Sequence, residues 1–430
     1  MRQINVDRLS NLLRVLIYVC VGFLVVSRGV VLFPDSYTFL DMAINHSITY
    51  CLFLKFFTLL FNDYYEIPLL ISQYVFIVYG IMFINNRLLE IFDIKWFGKI
   101  VLQILLLAPC IYLHLLGSAI LSEAIAYPLF LIFFGLGLKM FVNESFEDIF
   151  KIFLLLVALV LTRGQFIALV PAFLIIVIYT IIKNGAIRNR WYVLIILLAV
   201  PLMASLVEKT YNKINYDHFV GNTMNYVHLI SSPFYLSNAN DIDVFSQEDQ
   251  KAYFNLIYKN LESRKLLYNQ IDLNKSDNYQ FYHRNFSNIC NKGVYKLGLD
   301  FFKNKGFDYY QQHIQLNKLC KSMLLPLIKQ NFQSWIYLYI KNVKNSFGSF
   351  KQLLLFLLLL IYGLIYLDVK NNNFYKFLVM AIIFMFANNC LVAIPIHTIK
   401  RYIFYFDWVI FAVFIILIEE KLRNRIAYEC

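Results

Sequence analysis

The 430-residue chain is 60% hydrophobic, 18% aromatic and only 15% charged, where an ordinary soluble domain carries about 25% charged residues. Apolar runs near the roughly 20 residues that span hydrocarbon recur along it, which excludes a soluble globular enzyme and predicts an all-α polytopic membrane protein. The net charge of +12 sits mostly in short loops between apolar runs, a pattern of membrane topology, so no nucleic-acid partner is expected.

The first apolar run, residues 12–33, follows Arg2, Arg8 and Arg14. It is long for a signal-peptide core, and Phe33-Pro34-Asp35 is not a small-residue cleavage site, so it reads as a retained first span. Residues 36–45 follow as a short helix with Tyr37, Leu40 and Ile44 on one face and Asp41 beside them. The run 47–61, "SITYCLFLKFFTLLF", is too short to cross comfortably; it reads as a second helix in the outer interface, with Lys55 reaching to the headgroups. Further spans are expected at 67–86, 99–117, 120–142, 150–163, 165–183 and 191–207. A large loop, 208–348, precedes three more, at 350–368, 374–394 and 402–419. The organisation is therefore ten spans in two blocks: 1–207 with seven, the loop domain 208–348, and 349–430 with three.

With ten spans, the short-loop bases fall on one side: Arg2, Arg8 and Arg14; Arg87, Lys95 and Lys99; Lys151; Lys183, Arg188 and Arg190; Lys370 and Lys376; Lys421, Arg423 and Arg425. The positive-inside rule makes that side cytoplasmic, with both termini, and puts the loop 208–348 outside. Seven cysteines lie mostly in apolar runs, where they act as small hydrophobes. Only Cys290 and Cys320 share the large loop, and a bridge between them is open if that loop is extracytoplasmic. No CxxC or HxxxH pairing supports a metal site, and a divalent-cation requirement is left open.

The candidate chemistry gathers on the outer face. Asp35, in "VLFPDSYTFL", sits where the first run ends; it is either a helix N-cap, a task Ser36 can also do, or a general base at the membrane surface. Glu123, in "LGSAILSEAIAYPLF", starts the fourth span: a dipole-matched cap with Ser122, or a functional carboxylate. Arg163, in "LTRGQFIALVP", either snorkels or binds phosphate. "PIHTIKRYIFYFDW" brings His397, Lys400 and Arg401 together above the last span, with Asp407 as an ion-pair partner for one of them. Acids facing bases at one membrane depth suit a reaction that releases a phosphate anion.

These segments resemble those of the GT-C-fold integral membrane glycosyltransferases that use lipid-phosphate sugars, among them protein O-mannosyltransferases and bacterial aminoarabinose transferases. The matching segments are "PDSYTFLDMA" with Asp35 followed by two interfacial helices, "LSEAIAYPLF" with Glu123, "LTRGQFIALVP" with Arg163, and "KRYIFYF" with Arg401 and Tyr402. The resemblance covers residues 1–207 and, more loosely, the last three spans. It implies that Asp35 and Glu123 are catalytic and that Arg163, His397, Lys400, Arg401 and Tyr402 bind the donor. Many relatives carry a second acid directly after the catalytic aspartate; here that position is Ser36, which removes any Asp-Glu pair and leaves a metal contact there open.

The implied reaction moves a sugar from a polyprenyl phosphate to an extracytoplasmic hydroxyl of a glycan, lipid or protein, with inversion, in the service of cell-envelope polysaccharide synthesis. The implied setting is a bacterial inner membrane. In that reading the loop 208–348 caps the site, and Tyr226, Phe234 and Tyr235 either stack on sugars or form the loop's packing core. A polysaccharide polymerase or ligase acting on a lipid-pyrophosphate donor is the alternative, separable by whether the released lipid is a monophosphate or a diphosphate. A lipid-linked glycan transporter fits less well, because the charges lie mostly at one face and the halves show no repeat.

Overall fold

A computed structural model describes residues 2–46, 48–113, 115–185, 187–271, 277–369 and 373–429; Lys370, counted above with the cytoplasmic bases, lies outside them, as do the side chains of Arg2, Arg423 and Arg425. Among the described residues the regular structure is helical apart from one isolated parallel bridge, Val31 to Ala119. The first part of the chain forms α1 (Arg2–Arg28), α2 (Pro34–Leu40), α3 (Ile48–Phe61), α4 (Glu66–Phe92), α5 (Trp96–Ala108), α6 (Glu123–Asn143), α7 (Ile149–Thr162), α8 (Leu169–Lys183) and α9 (Ile187–Tyr216). The large loop forms α10 (Asn225–Leu236), α11 (Glu248–Ser263), α12 (Asn278–Ser287), α13 (Lys296–Lys303), α14 (Tyr309–Gln330) and α15 (Phe332–Ser346). The chain closes with α16 (Phe350–Val369), α17 (Asn373–Val392), α18 (Lys400–Ile403) and α19 (Asp407–Glu429).

Eight segments among the described residues are long and apolar enough to cross a membrane: Arg8–Arg28, Glu66–Phe92, Glu123–Asn143, Gly164–Lys183, Arg188–Tyr216, Phe350–Asp368, Asn373–Val392 and Lys400–Lys421. The remaining two predicted spans correspond to shorter apolar helices, Trp96–Ile111 and Ile149–Thr162. The architecture is that of an all-α polytopic membrane protein. At its centre α6 and α17 are apolar all round and buried along nearly their whole length, the pattern of a core helix. At the rim α1, α9 and α16 leave Leu12, Val19, Phe23, Leu202, Leu358 and Ile365 bare, the surface hydrocarbon covers. Helices α4 and α6 meet at Gly80, where an added Cβ would stand 2.7 Å from the Pro128 Cα.

Several boundaries differ from the sequence expectation, for local reasons. The first span stops at Arg28, not at residue 33: Gly29, at φ +72, takes the left-handed conformation that ends a helix. The Arg28 guanidinium then donates to the carbonyls of Cys110 (3.2 Å) and Ile111 (2.9 Å) at the end of α5. The expected span 99–117 likewise ends early, in a wide turn over Pro109–Leu113. The apolar stretches that follow α1 and α5 pair with each other, the second after a turn at Leu116–Ser118: Val31 N–H donates to Ser118 O (2.9 Å) and Ile120 N–H to Val31 O (3.1 Å). The helix expected over 36–45 covers Pro34–Leu40 only, because Met42 turns left-handed at φ +51. The shared face of Tyr37, Leu40 and Ile44 is therefore not formed; Tyr37 is exposed and Ile44 buried. Helix α3 matches its expected range, with Ile48, Cys51 and Leu54 buried on one face, Leu52, Phe56 and Leu59 bare on the other, and Lys55 half-exposed.

The two ends of the bundle differ chemically. At one end Glu144 gathers Lys376 (2.9 Å) and Lys183 (3.1 Å) on its carboxylate and Arg190 (3.2 Å) on its carbonyl, so bases from two separate predicted loops converge. At the other end α10–α15 pack around their own core of Phe234, Tyr253, Phe254, Ile257, Leu316 and Met323. Phe234 and Tyr235 are fully buried there, which removes them from any sugar-stacking role. Cys290 and Cys320 are buried in the same core as free thiols; the bridge left open by the sequence is not formed.

Candidate active site

The bridge between Val31 and Ala119 builds the site. Because it is parallel, both segments run the same way and each opens a helix shortly after it, α2 from Pro34 and α6 from Glu123. Asp35 and Glu123 each lie four positions beyond their bridged residue, so two helix starts bring two carboxylates to one place. Ser36 locks the pair of segments. Its hydroxyl accepts from Phe33 N–H (2.8 Å) and donates to Ile120 O (2.7 Å), and it thereby does the capping work at the head of α2. Asp35 is not the N-cap, and its carboxylate is turned elsewhere.

It is turned to Arg401. Arg401 Nη2 lies 2.5 Å from Asp35 Oδ2, and Arg401 Nε lies 2.8 Å from Glu123 Oε1. Arg163 Nη1 lies 2.6 Å from the same Glu123 oxygen. The result is a chain of alternating charge, Asp35–Arg401–Glu123–Arg163, with no net charge. Its members are graded in exposure. The Glu123 side chain is 1% exposed, Arg163 10%, Arg401 22% and Asp35 41%. Glu123 is the buried hub and Asp35 the accessible end. A buried carboxylate is tolerable only when paired and hydrogen-bonded; here two guanidiniums supply the charge pairing at Oε1, which itself accepts no aligned hydrogen bond, while the Ser122 hydroxyl (3.3 Å) serves Oε2 and the start of α6 adds its dipole.

Tyr402 forms the floor, with the Arg163 and Arg401 guanidinium carbons 5.1 and 5.4 Å from its ring centre, within cation–π range. Gln165 donates to Tyr402 O (2.8 Å) and to Asn388 Oδ1 (3.0 Å), and Asn388 donates to Tyr402 O (3.2 Å). These amides fix the backbone that carries Arg401. Lys400, adjacent in sequence, stands apart: its ammonium is 65% exposed and lies 3.7 Å from Asp407, the ion pair the sequence allowed. His397 donates from Nδ1 to His283 O (2.8 Å), with its ring stacked on Phe286 at 4.5 Å.

Burial pushes the Asp35 carboxyl up, but the adjacent Arg401 guanidinium, helped by His46 and Arg163, holds it below the ordinary carboxylate range. Asp35 is thus ionised at neutral pH. Burial lowers the imidazoles of His397 and His228 to about 4 and lowers that of His46, so all three are neutral at pH 7. His46 and His228 lie within electrostatic range of Asp35. Neither is marked by any sequence pattern; the fold alone brings them in, from the α2–α3 turn and from α10. Gln165, two residues after Arg163, and the pair Asn388-Asn389 inside an apolar run were visible as polar residues in the wrong place, the signal that intramembrane polar groups give.

Among the described residues no group of three or more His, Cys, Asp or Glu side chains is arranged to hold a metal ion. No family model, curated protein or solved structure matches the chain.

Proposed function

We propose that the protein is a membrane glycosyltransferase of GT-C type that moves a sugar from a polyprenyl-phosphate donor to a hydroxyl acceptor, with Asp35 as general base. One observation carries this reading: a half-exposed, ionised carboxylate stands at the open end of a charge chain containing two guanidiniums, at one end of an apolar bundle. A lipid tail can remain in hydrocarbon while its phosphate meets Arg401 and Arg163, for which guanidinium geometry is suited.

The chemistry follows from exchange of partners. In the closed chain Arg401 is shared between Asp35 and Glu123. An incoming phosphate competes for the same guanidinium, and as Arg401 turns to it Asp35 loses its counter-ion and becomes a stronger base. Asp35 then takes the proton of the acceptor hydroxyl; that oxygen bonds to the anomeric carbon from the face opposite the phosphate, the carbon–phosphate oxygen bond breaks, and the polyprenyl phosphate leaves as an anion held by the arginines. Glu123, buried and already doubly paired, acts as a positioning residue that keeps the two arginines in register and does not reach the substrate. Lys400 has no part in the charge chain. The topology that goes with this reading has ten crossings, α5 and α7 being the short ones, with both termini and the Glu144 cluster cytoplasmic and α10–α15 outside, in a bacterial inner membrane.

The test is transfer from radiolabelled polyprenyl-phosphate sugars in membranes with and without the protein. Label transfer with release of the lipid monophosphate supports the reading. Release of a diphosphate lipid favours a polymerase or ligase, and no protein-dependent transfer from any donor overturns enzymatic sugar transfer.

A further inference from the structure

A second group of side chains, outside the charge chain, lies where the α2–α3 turn meets the end of α9, the loop 217–224 and the head of α14. Tyr216 hydroxyl donates to Met42 O, and Asn222 donates to Asn45 O at 3.2 Å. Asn45 Nδ2 donates to Tyr295 hydroxyl at 3.1 Å, and Tyr295 pairs with His313 Nδ1 at 3.3 Å. Burial lowers the His313 imidazole to about 4, so the ring is neutral and one of its nitrogens is a donor and the other an acceptor. Among the described residues its Nε2 has no hydrogen-bond partner, although His313 is 2% exposed. Asn45 Oδ1 and Thr223 Oγ1 are likewise buried and unpartnered.

Three unpartnered polar atoms in one seam are unusual, because buried polar groups in folded proteins are nearly always satisfied. Here they are an imidazole nitrogen, His313 Nε2, an amide oxygen, Asn45 Oδ1, and a hydroxyl, Thr223 Oγ1, that serves as donor or acceptor. Tyrosine rings adjoin them: Tyr309 lies 4.8 Å from His313 edge-on and is 54% exposed, and Tyr310 lies 5.1 Å from Tyr216. Neutral donors and acceptors beside a bare aromatic face are the chemistry that recognises a sugar ring, whose hydroxyls both give and take hydrogen bonds and whose C–H faces lie on aromatics. Two carboxyl groups border the seam, Asp41 near Tyr309 and Glu208, whose Oε2 accepts from Asn222 N–H at 3.1 Å, and neither favours an anionic ligand. His46, the residue after Asn45, is in electrostatic range of Asp35, so this seam adjoins the proposed catalytic carboxylate.

We propose that the seam of Asn45, Thr223, Tyr309 and His313 is a binding subsite for a neutral carbohydrate. That the carbohydrate is the acceptor of transfer rests on the reading above; that it binds does not.

The test uses the full-length protein in lipid nanodiscs on a printed array of neutral, acidic and amino oligosaccharides. Wild-type and Asp35→Asn protein should bind neutral oligosaccharides equally. Tyr309→Ala, at an exposed position that folding tolerates, and His313→Ala should each weaken that binding by about tenfold, the loss expected for one hydrogen bond or one stacking face. Absence of glycan binding by the wild type, a preference for acidic glycans, or unchanged binding in Tyr309→Ala would overturn the subsite. Glycan binding that survives while no lipid-linked donor supports transfer would instead overturn the transferase reading and leave the subsite standing.

Discussion

Asp35 and Glu123, 88 positions apart in the chain, are joined by one guanidinium, with Arg401 placing Nη2 2.5 Å from the first and Nε 2.8 Å from the second. The two acids differ in what surrounds them. Glu123 is enclosed and shared with Arg163, whereas Asp35 is open on one side. The same bridging group therefore divides the pair into a structural carboxylate and an available one.

Glu123→Gln tests the structural half of that division. It leaves Arg163 and Arg401 facing each other across an amide, and breaking a buried pair typically costs about 3–5 kcal/mol. The purified protein should unfold at a clearly lower temperature, and Lys400→Ala, which removes an exposed pair, should leave the melting curve near that of the wild type. Equal melting of Glu123→Gln and wild type would show that Glu123 is not the hub of the charge chain.

Arg401→Lys and Arg163→Lys should both weaken use of the lipid donor while the protein remains expressed. Lysine keeps the charge but not the planar fork that reaches two partners at once, and Arg401 does reach two. The measurement is the donor-concentration dependence of transfer. An unchanged apparent donor affinity in both variants reduces these residues to fold and headgroup anchors.

The arginines, Glu123 and Asp35 were legible because charges at the ends of apolar runs stand out in composition. Their grouping was not. Residues 29–33 and 115–120 are as apolar as a helix interior, and no periodicity separates a non-helical apolar stretch from a buried helical one; only the left-handed Gly29 and the turn at Pro109 end the two helices. Lys400 and Arg401 are neighbours and looked equivalent, but the helical turn of α18 sends one to Asp407 and the other to Asp35. The histidines near Asp35 come from separate elements, at residues 46 and 228, and could not be grouped without the fold.

That histidine group predicts a pH dependence. His228 and His283, on α10 and α12, meet His46 and His397, from the turns before α3 and α18. The groups facing them are Asp35, which favours protonation of His46 and His228, and Arg401 and Arg284, which oppose protonation of His46 and His397 and of His283 respectively. Burial dominates, and all four imidazoles are depressed. Docking of α10 and α12 is therefore fully favoured above the ordinary histidine value near 6.5 and is lost as pH falls toward about 4, the value for His228 and His397. Each of those two opposes docking by roughly 30-fold at pH 5. The hydrogen-exchange protection factors of α10 and α12, which correct for the slower intrinsic exchange at lower pH, should fall between pH 7 and pH 5, and His228→Gln with His397→Gln should flatten the change. A pH-independent protection factor would contradict it.

Topology can be read with single cysteines. Lys259→Cys, exposed on α11, should react with an impermeant thiol reagent added to intact cells, and Asn189→Cys, exposed at the start of α9, should not. The native Cys290 and Cys320 should stay silent until the protein is denatured, because both are buried. The reverse labelling pattern would place Asp35 in the cytoplasm.

The most direct measurement compares Asp35→Asn with Asp35→Ala for sugar transfer in membranes. Asn keeps nearly the same shape and one oxygen for Arg401, and the helix start is held by Ser36, so protein level should be unchanged. An amide cannot take the acceptor's proton, and a general base supplies on the order of 10²–10⁴-fold in rate. The account predicts that Asp35→Asn loses at least a hundredfold in transfer while donor binding persists, and that Asp35→Ala is no worse in rate. Near-wild-type transfer by Asp35→Asn would contradict it and leave Asp35 as one end of an ion pair.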